Sequence, residues 1–202
     1  MSDKTGSGLQ WAMARTTKTK ILALLGGIKR PGMQGLIAHL ESSDFFTAPA
    51  SSRFHAAYSG GLADHSLSTY TLFEQKVKTY GIDLPAASVK LCGLLHDVCK
   101  IGLYHRGKRN VKEDGKWVEK EVWVSEDNLP LGHGEKSVYL IQKHIQLTDI
   151  EALTIRWHMG FTEPREQWSC FDTARGMHPA MIALHLADLE SSHLAEVQGP
   201  EE

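Results

Sequence analysis

The sequence predicts an all-α domain: a helical bundle carrying one short β-hairpin as an insertion. Three observations lead there. Apolar residues recur at helical spacing through most of the chain. One segment alone, residues 108–124, sets an Asp-Gly turn between runs rich in Val and Trp. The 202 residues, 42% hydrophobic and 23% charged, suffice for one sizeable core.

Residues 1–17, with Ser2, Gly6, Ser7 and Gly8, read as a flexible leader, 18–196 as the single domain and 197–202 as a tail. Ile21, Leu24, Leu25 and Ile28 give a short apolar face closed by glycine. Pro31 opens a second helix through Leu36, Ile37 and Leu40, because its missing N–H would lack a partner there anyway. Residues 44–61 are irregular. A long helix with Tyr70, Phe73, Val77 and Tyr80 ends at Gly81, and Pro85 begins another through Leu91, Leu94, Leu95 and Val98. The hairpin, turning at Asp114-Gly115, interrupts the helices. Two more follow Gly132. The second starts on a Thr148/Glu151 capping box and runs to His158, with Gly160 as its C-cap. A last helix spans about 178–196.

Composition excludes several classes. Lys plus Arg number 22 and Asp plus Glu 24, so the chain does not coat nucleic acid or an anionic membrane by bulk charge. Cys92, Cys99 and Cys170 are an odd count without zinc-finger spacing. Cys92 and Cys99, seven apart on one helix, rise roughly 10 Å and exceed disulfide reach. A reducing, cytoplasmic setting is expected. No apolar run approaches the roughly 20 residues that span a bilayer. There is no phosphate loop, no Rossmann glycine fingerprint and no His-Glu-x-x-His.

The unusual count is 11 histidines. Five positions each fall on or beside a different helix: His65, the pair His96–Asp97, His133, His158 and Asp188. Their intervals each match about one helix plus its connection, so a bundle can aim one ligand apiece at a shared centre. Four imidazoles and two carboxylates suit Mn, Fe, Co, Ni or Zn better than Ca. Six ligands exceed what one metal with an open position takes, and an Asp can bridge two metals, so the count suggests a dinuclear site. His39, His144, His178 and His193 read as ordinary. His185, three residues before Asp188, is either a neighbour of the site or simply packed.

Gly60-Gly-Leu-Ala-Asp-His65, Leu94-Leu-His-Asp-Val-Cys-Lys100, Leu131-Gly-His-Gly-Glu-Lys136, Arg156-Trp-His-Met159 and Leu186-Ala-Asp188, in this order, resemble the HD-domain metal-dependent phosphohydrolase superfamily. The approach Ala48-Pro-Ala-Ser, His55, Gly60-Gly-Leu is similar to the HD domain of 3′–5′ exoribonucleases, which carry an OB-fold domain ahead of it. The N-terminal residues here are too few for one. The resemblance implies His65, His96, Asp97 and Asp188 on a first metal. Asp97 would bridge to a second held by His133 and His158. Lys100 matches the lysine of the His-Asp-x-x-Lys block of HD-GYP phosphodiesterases and would contact a substrate phosphate.

The expected activity is hydrolysis of a phosphate ester in a nucleotide or short oligonucleotide by metal-activated hydroxide, with Asp97 and Lys100 as catalytic residues. His55, Arg106 and Arg109 are candidate substrate contacts. The stretch from Lys100 to Lys112, with His105, Lys108 and these arginines, reads either as a cationic rim or as a solvated hairpin edge offset by Glu113, Asp114, Glu119 and Glu121. Two other classes stay open. Inositol oxygenase and related diiron enzymes share the HD fold and a similar ligand set, and a non-catalytic nucleotide-binding HD module would usually have lost ligands.

Overall fold

The computed structural model describes residues 5–113 and 115–195. Among them the chain forms eight α-helices and one hairpin: α1 (Thr5–Gly26), α2 (Met33–Ser42), α3 (Gly61–Thr79), α4 (Ala86–Leu95), β1 (Tyr104–Glu113), β2 (Lys116–Ser125), α5 (His133–Gln142), α6 (Asp149–Arg156), α7 (Trp168–Met177) and α8 (Ala180–Glu190). The fold is the expected all-α bundle with a hairpin insertion. No helix among these residues is long and apolar enough to cross a membrane.

Helix α3 is the hub, packed by α1, α4 and α8, while α6 touches α4, α5 and α8. The core runs through all of them, with Ile21, Leu25, Phe73, Leu91, Leu94 and Leu184 fully buried. Each such side chain contributes about 2 kcal/mol relative to exposure. Helices α3 and α4 approach so closely at Gly93 that an added Cβ would lie 2.7 Å from the Tyr70 Cα. Trp157, Phe171, Ala174 and Met181 make a smaller cluster beneath α7.

The capping box of α6 is present, and it serves a wider network. Glu151 is fully buried, accepts two 2.7 Å bonds from the Arg30 guanidinium and one from Ser88 Oγ, and caps the Thr148 N–H. The turn after α1 is thereby tied to α4 and α6.

Several boundaries differ from those expected. Residues 5–17, expected as leader, lie within α1. Thr17 is buried at the helix surface and donates to Asp64 at 2.7 Å, one residue before His65. The hairpin is longer than 108–124, starting at Tyr104 and ending at Ser125. Helix α6 stops at Arg156, leaving His158 in the following turn. Helix α7 was not foreseen. Helix α8 ends at Glu190, where Ser192 Oγ bonds the Asp188 carbonyl and the chain widens into a π-helical turn, Ser191–Ala195. Residues 1–4, Asp114 of the expected turn, and 196–202 including the expected tail lie outside the described residues.

Candidate metal centre

Local chain geometry brings the six expected side chains together. His65 sits one turn into α3, whose first residue, Gly61, lets the 50–56 loop pack onto the helix. A Cβ at Gly61 would lie 2.0 Å from the Ala56 carbonyl oxygen. His96 and Asp97 follow α4, where the helix breaks into a 3-10 turn, Val98–Lys100, that folds Lys100 back over Asp97. His133 opens α5 after Gly132, whose φ of 89° favours glycine. Gly134 meets the end of α6 without room for a side chain, a Cβ there lying 2.0 Å from the Arg156 carbonyl oxygen. That contact sets His133 beside His158, with ring centroids 5.2 Å apart. Helix α8 supplies Asp188.

Asp97 is the centre of the arrangement. Its Oδ1 lies 2.6 Å from His133 Nε2 and 3.6 Å from His158 Nε2. Its Oδ2 lies 3.4 Å from His65 Nε2, 3.6 Å from His96 Nε2 and 2.6 Å from Lys100 Nζ. Asp188 Oδ1 closes the second side, 3.1 Å from His65 Nε2 and 3.9 Å from His96 Nε2. One carboxylate therefore faces a different pair of imidazoles with each oxygen.

The proton positions on two rings follow from their bonds. His96 Nδ1 donates to the Gly93 carbonyl at 2.9 Å, and His158 Nδ1 to that of Ile155 at 2.6 Å. Both Nε2 atoms consequently turn lone pairs toward carboxylate oxygens. Among the described residues the buried His158 Nε2 has no hydrogen-bond partner. Burial presses the His96 pKa down to about 3, against the pull of Asp97, so its ring is neutral. Burial opposes ionisation of Asp97, but the Lys100 ammonium beside it and the hydrogen bond from His133 outweigh it and hold its pKa well below the usual carboxylate range. Asp188 is likewise held low, against its burial, chiefly by its hydrogen bond with His65. Burial disfavours the Lys100 ammonium too, and Asp97 more than offsets this, so the lysine stays charged. Lone pairs and negative oxygens pointing at one another in a buried space fit a cation between them.

Three overlapping triads could hold an ion: His65, His96 and Asp188; His96, Asp97 and His158; and Asp97, Cys99 and His133. Cys99 was missed from the sequence: it stands two residues after Asp97, but only the packing of the turn after α4 against α5 places it beside His133. Its Sγ lies 3.5 Å from both His133 nitrogens, and burial pushes its thiol pKa up to about 12, the thiol form rather than the thiolate that binds metals. His185 is a neighbour of the site: its Nδ1 donates to the His158 carbonyl at 2.8 Å, and its ring fills the space where Gly160 has no side chain.

The expected substrate contacts divide. The His55 ring lies 5.0 Å from that of His65, at the edge of the cluster. Arg106 stacks on Trp123 of its own hairpin, its guanidinium 4.0 Å from the ring centroid. Arg109, three residues on, faces the other side of the two-stranded ribbon, opposite Lys120. Among the described residues no hydrogen bond or ion pair joins either arginine to the six-residue cluster.

A helical bundle that focuses neutral imidazoles and ionised carboxylates on one buried aspartate belongs to the class of helical metal-site domains. The family model described as the HD domain matches residues 62–192, which include all six cluster residues, and the chain belongs to that family, part of a superfamily of metal-dependent phosphohydrolases. No curated protein and no solved structure matches the chain.

Proposed function

We propose that the protein hydrolyses a phosphate ester of a nucleotide or short oligonucleotide at a dinuclear centre bridged by Asp97. The observation that carries this reading is the division of the two Asp97 oxygens between His133/His158 and His65/His96. In it, His65, His96, Asp97 and Asp188 would hold one divalent ion, and Asp97, His133 and His158 the other. Mn, Fe, Co, Ni and Zn all suit the donors. Bound there, such ions supply an acidified water and compensate charge on the phosphoryl group.

The chain's own groups do the rest. Lys100, buried and cationic, binds a non-bridging phosphoryl oxygen and offsets the charge that grows on it. The His158 and His96 rings are locked by their Nδ1–H bonds, so no reorientation accompanies the reaction. His55, beside His65, lines the approach to the ester. The similarity of the 48–61 stretch to exoribonuclease-type HD domains supports a nucleotide ester over other phosphates.

The test is turnover of bis-(p-nitrophenyl) phosphate with Mn²⁺, expected in the native chain and lost in Asp97→Ala; full activity in that variant refutes the assignment. The same four-imidazole, two-carboxylate set also suits a diiron oxygenase. Iron at two per chain with substrate-dependent oxygen uptake, and no ester cleavage, would establish that alternative.

A further inference from the structure

The hairpin is the largest feature the cluster leaves without a role. It begins four residues after Lys100 and is closed at its base by the Glu126 N–H donating to the Leu103 carbonyl at 2.8 Å. Tyr104, half-buried at that base, follows Leu103, whose N–H donates to the Lys100 carbonyl at 3.1 Å, so the hairpin springs directly from the turn that carries Lys100. Alternate residues of a ribbon share a face. The face that Tyr104 starts therefore carries Arg106, Lys108 and Lys112, together with both hairpin tryptophans.

Each tryptophan stands directly across from a cation, Arg106 opposite Trp123 and Lys112 opposite Trp117. Trp117 is 71% exposed, a large apolar surface left to solvent at the far end of the face. The two tryptophans are six positions apart along β2, roughly 20 Å at strand rise. Glu119 takes up Lys108 at 2.7 Å and Glu121 stands across from that same lysine, so the middle of the face is slightly acidic and its unpaired cations lie toward the two ends. Among the described residues neither Arg106 nor Lys112 has an acidic partner. Lys112 beside the exposed Trp117 ring, with Arg106 stacked on the partly buried Trp123 further along, suits a ligand that presents both phosphates and flat bases.

We propose that this face docks the single-stranded stretch of an oligonucleotide whose scissile ester lies at the Asp97 cluster. A base stacks on Trp117, and phosphates lie against Lys112 and Arg106. A mononucleotide is too short to span from Tyr104 to Trp117, so the substrate is several nucleotides long. The inference rests on the phosphohydrolase reading for the chemistry at the cluster, but not for the docking itself.

The test separates the two. Binding of a fluorescein-labelled single strand of about nine nucleotides to the full chain is followed by anisotropy in a chelator, where nothing is cleaved. The native chain should bind it, Trp117→Ala and Lys112→Ala should each weaken binding about tenfold, and Trp117→Phe should retain most of it. Turnover of the strand relative to bis-(p-nitrophenyl) phosphate should fall in step. No binding by the native chain, unchanged binding in Trp117→Ala, or equal affinity for base-free polyphosphate would each overturn the docking proposal. Bis-(p-nitrophenyl) phosphate turnover separately reports whether the cluster is a phosphohydrolase.

Discussion

Asp97 concentrates the chemistry because each of its oxygens is committed to a different set of neighbours, and no other residue of the cluster has that position. Lys100 is the nearest cation to it. Lys100→Ala should lower kcat/KM for a phosphodiester by about a hundredfold in steady-state assays with Mn²⁺; an unaltered kcat/KM removes it from the chemistry. His185 acts through His158 instead. Losing its bond to the His158 carbonyl in His185→Ala should weaken metal binding about 10–100-fold, read by titration of metal-free protein, with His185→Asn recovering part of it. The metal-free protein should also be acid-sensitive. Burial holds His96 at about 3, below its ordinary 6.5, so the unfolded chain takes the proton first as pH falls. The stability His96 contributes is full above about 6.5 and is lost as pH drops toward about 3. Asp97 and Asp188, held below 3.8, act in the same direction at the lower end. Urea denaturation at stepped pH measures this, and stability rising between pH 6.5 and 4 would contradict it.

Elements were legible where an apolar stripe coincided with a local stop signal. Helix α4 could be read from Pro85 and its Leu91–Leu94–Leu95 face, and α6 from its capping box. Helix α7 could not, because only Phe171 and Ala174 of its ten residues are buried and two positions make no periodicity. The start of α1 was hidden by Gly6 and Gly8, which Ala12, Met13 and Ala14 outweigh as helix formers. The cluster's six residues were recognisable from the ordered sequence blocks that resemble the HD family, more than from their spacing alone. Cys99 was not, since its closeness to His133 depends on the turn after α4 meeting α5, a contact between segments distant in sequence. The closeness of α3 to α4 is equally a tertiary property. Gly93→Ala should cost about 1–3 kcal/mol in denaturant melts, because the new methyl meets Tyr70 backbone; a melt within error of the native chain would contradict that packing.

At the scale of the molecule, near-balanced charge coexists with a strongly polar centre and a cationic strand, so the phosphate affinity that the proposed function requires is local rather than spread over the surface. The bundle supplies rigidity through one continuous core, and the hairpin adds none of the core's buried side chains. The positions of the six cluster residues thus depend on helix packing, while in the proposed docking the ribbon sets the reach toward substrate. The most direct test of the account is a Mn²⁺ titration of metal-free protein in which ions bound per chain and bis-(p-nitrophenyl) phosphate turnover are followed together. The account predicts two ions per chain, with turnover rising as the second binds, and loss of both the second ion and turnover in Asp97→Ala. Full turnover with one ion bound, or two ions bound without any ester cleavage, would contradict it.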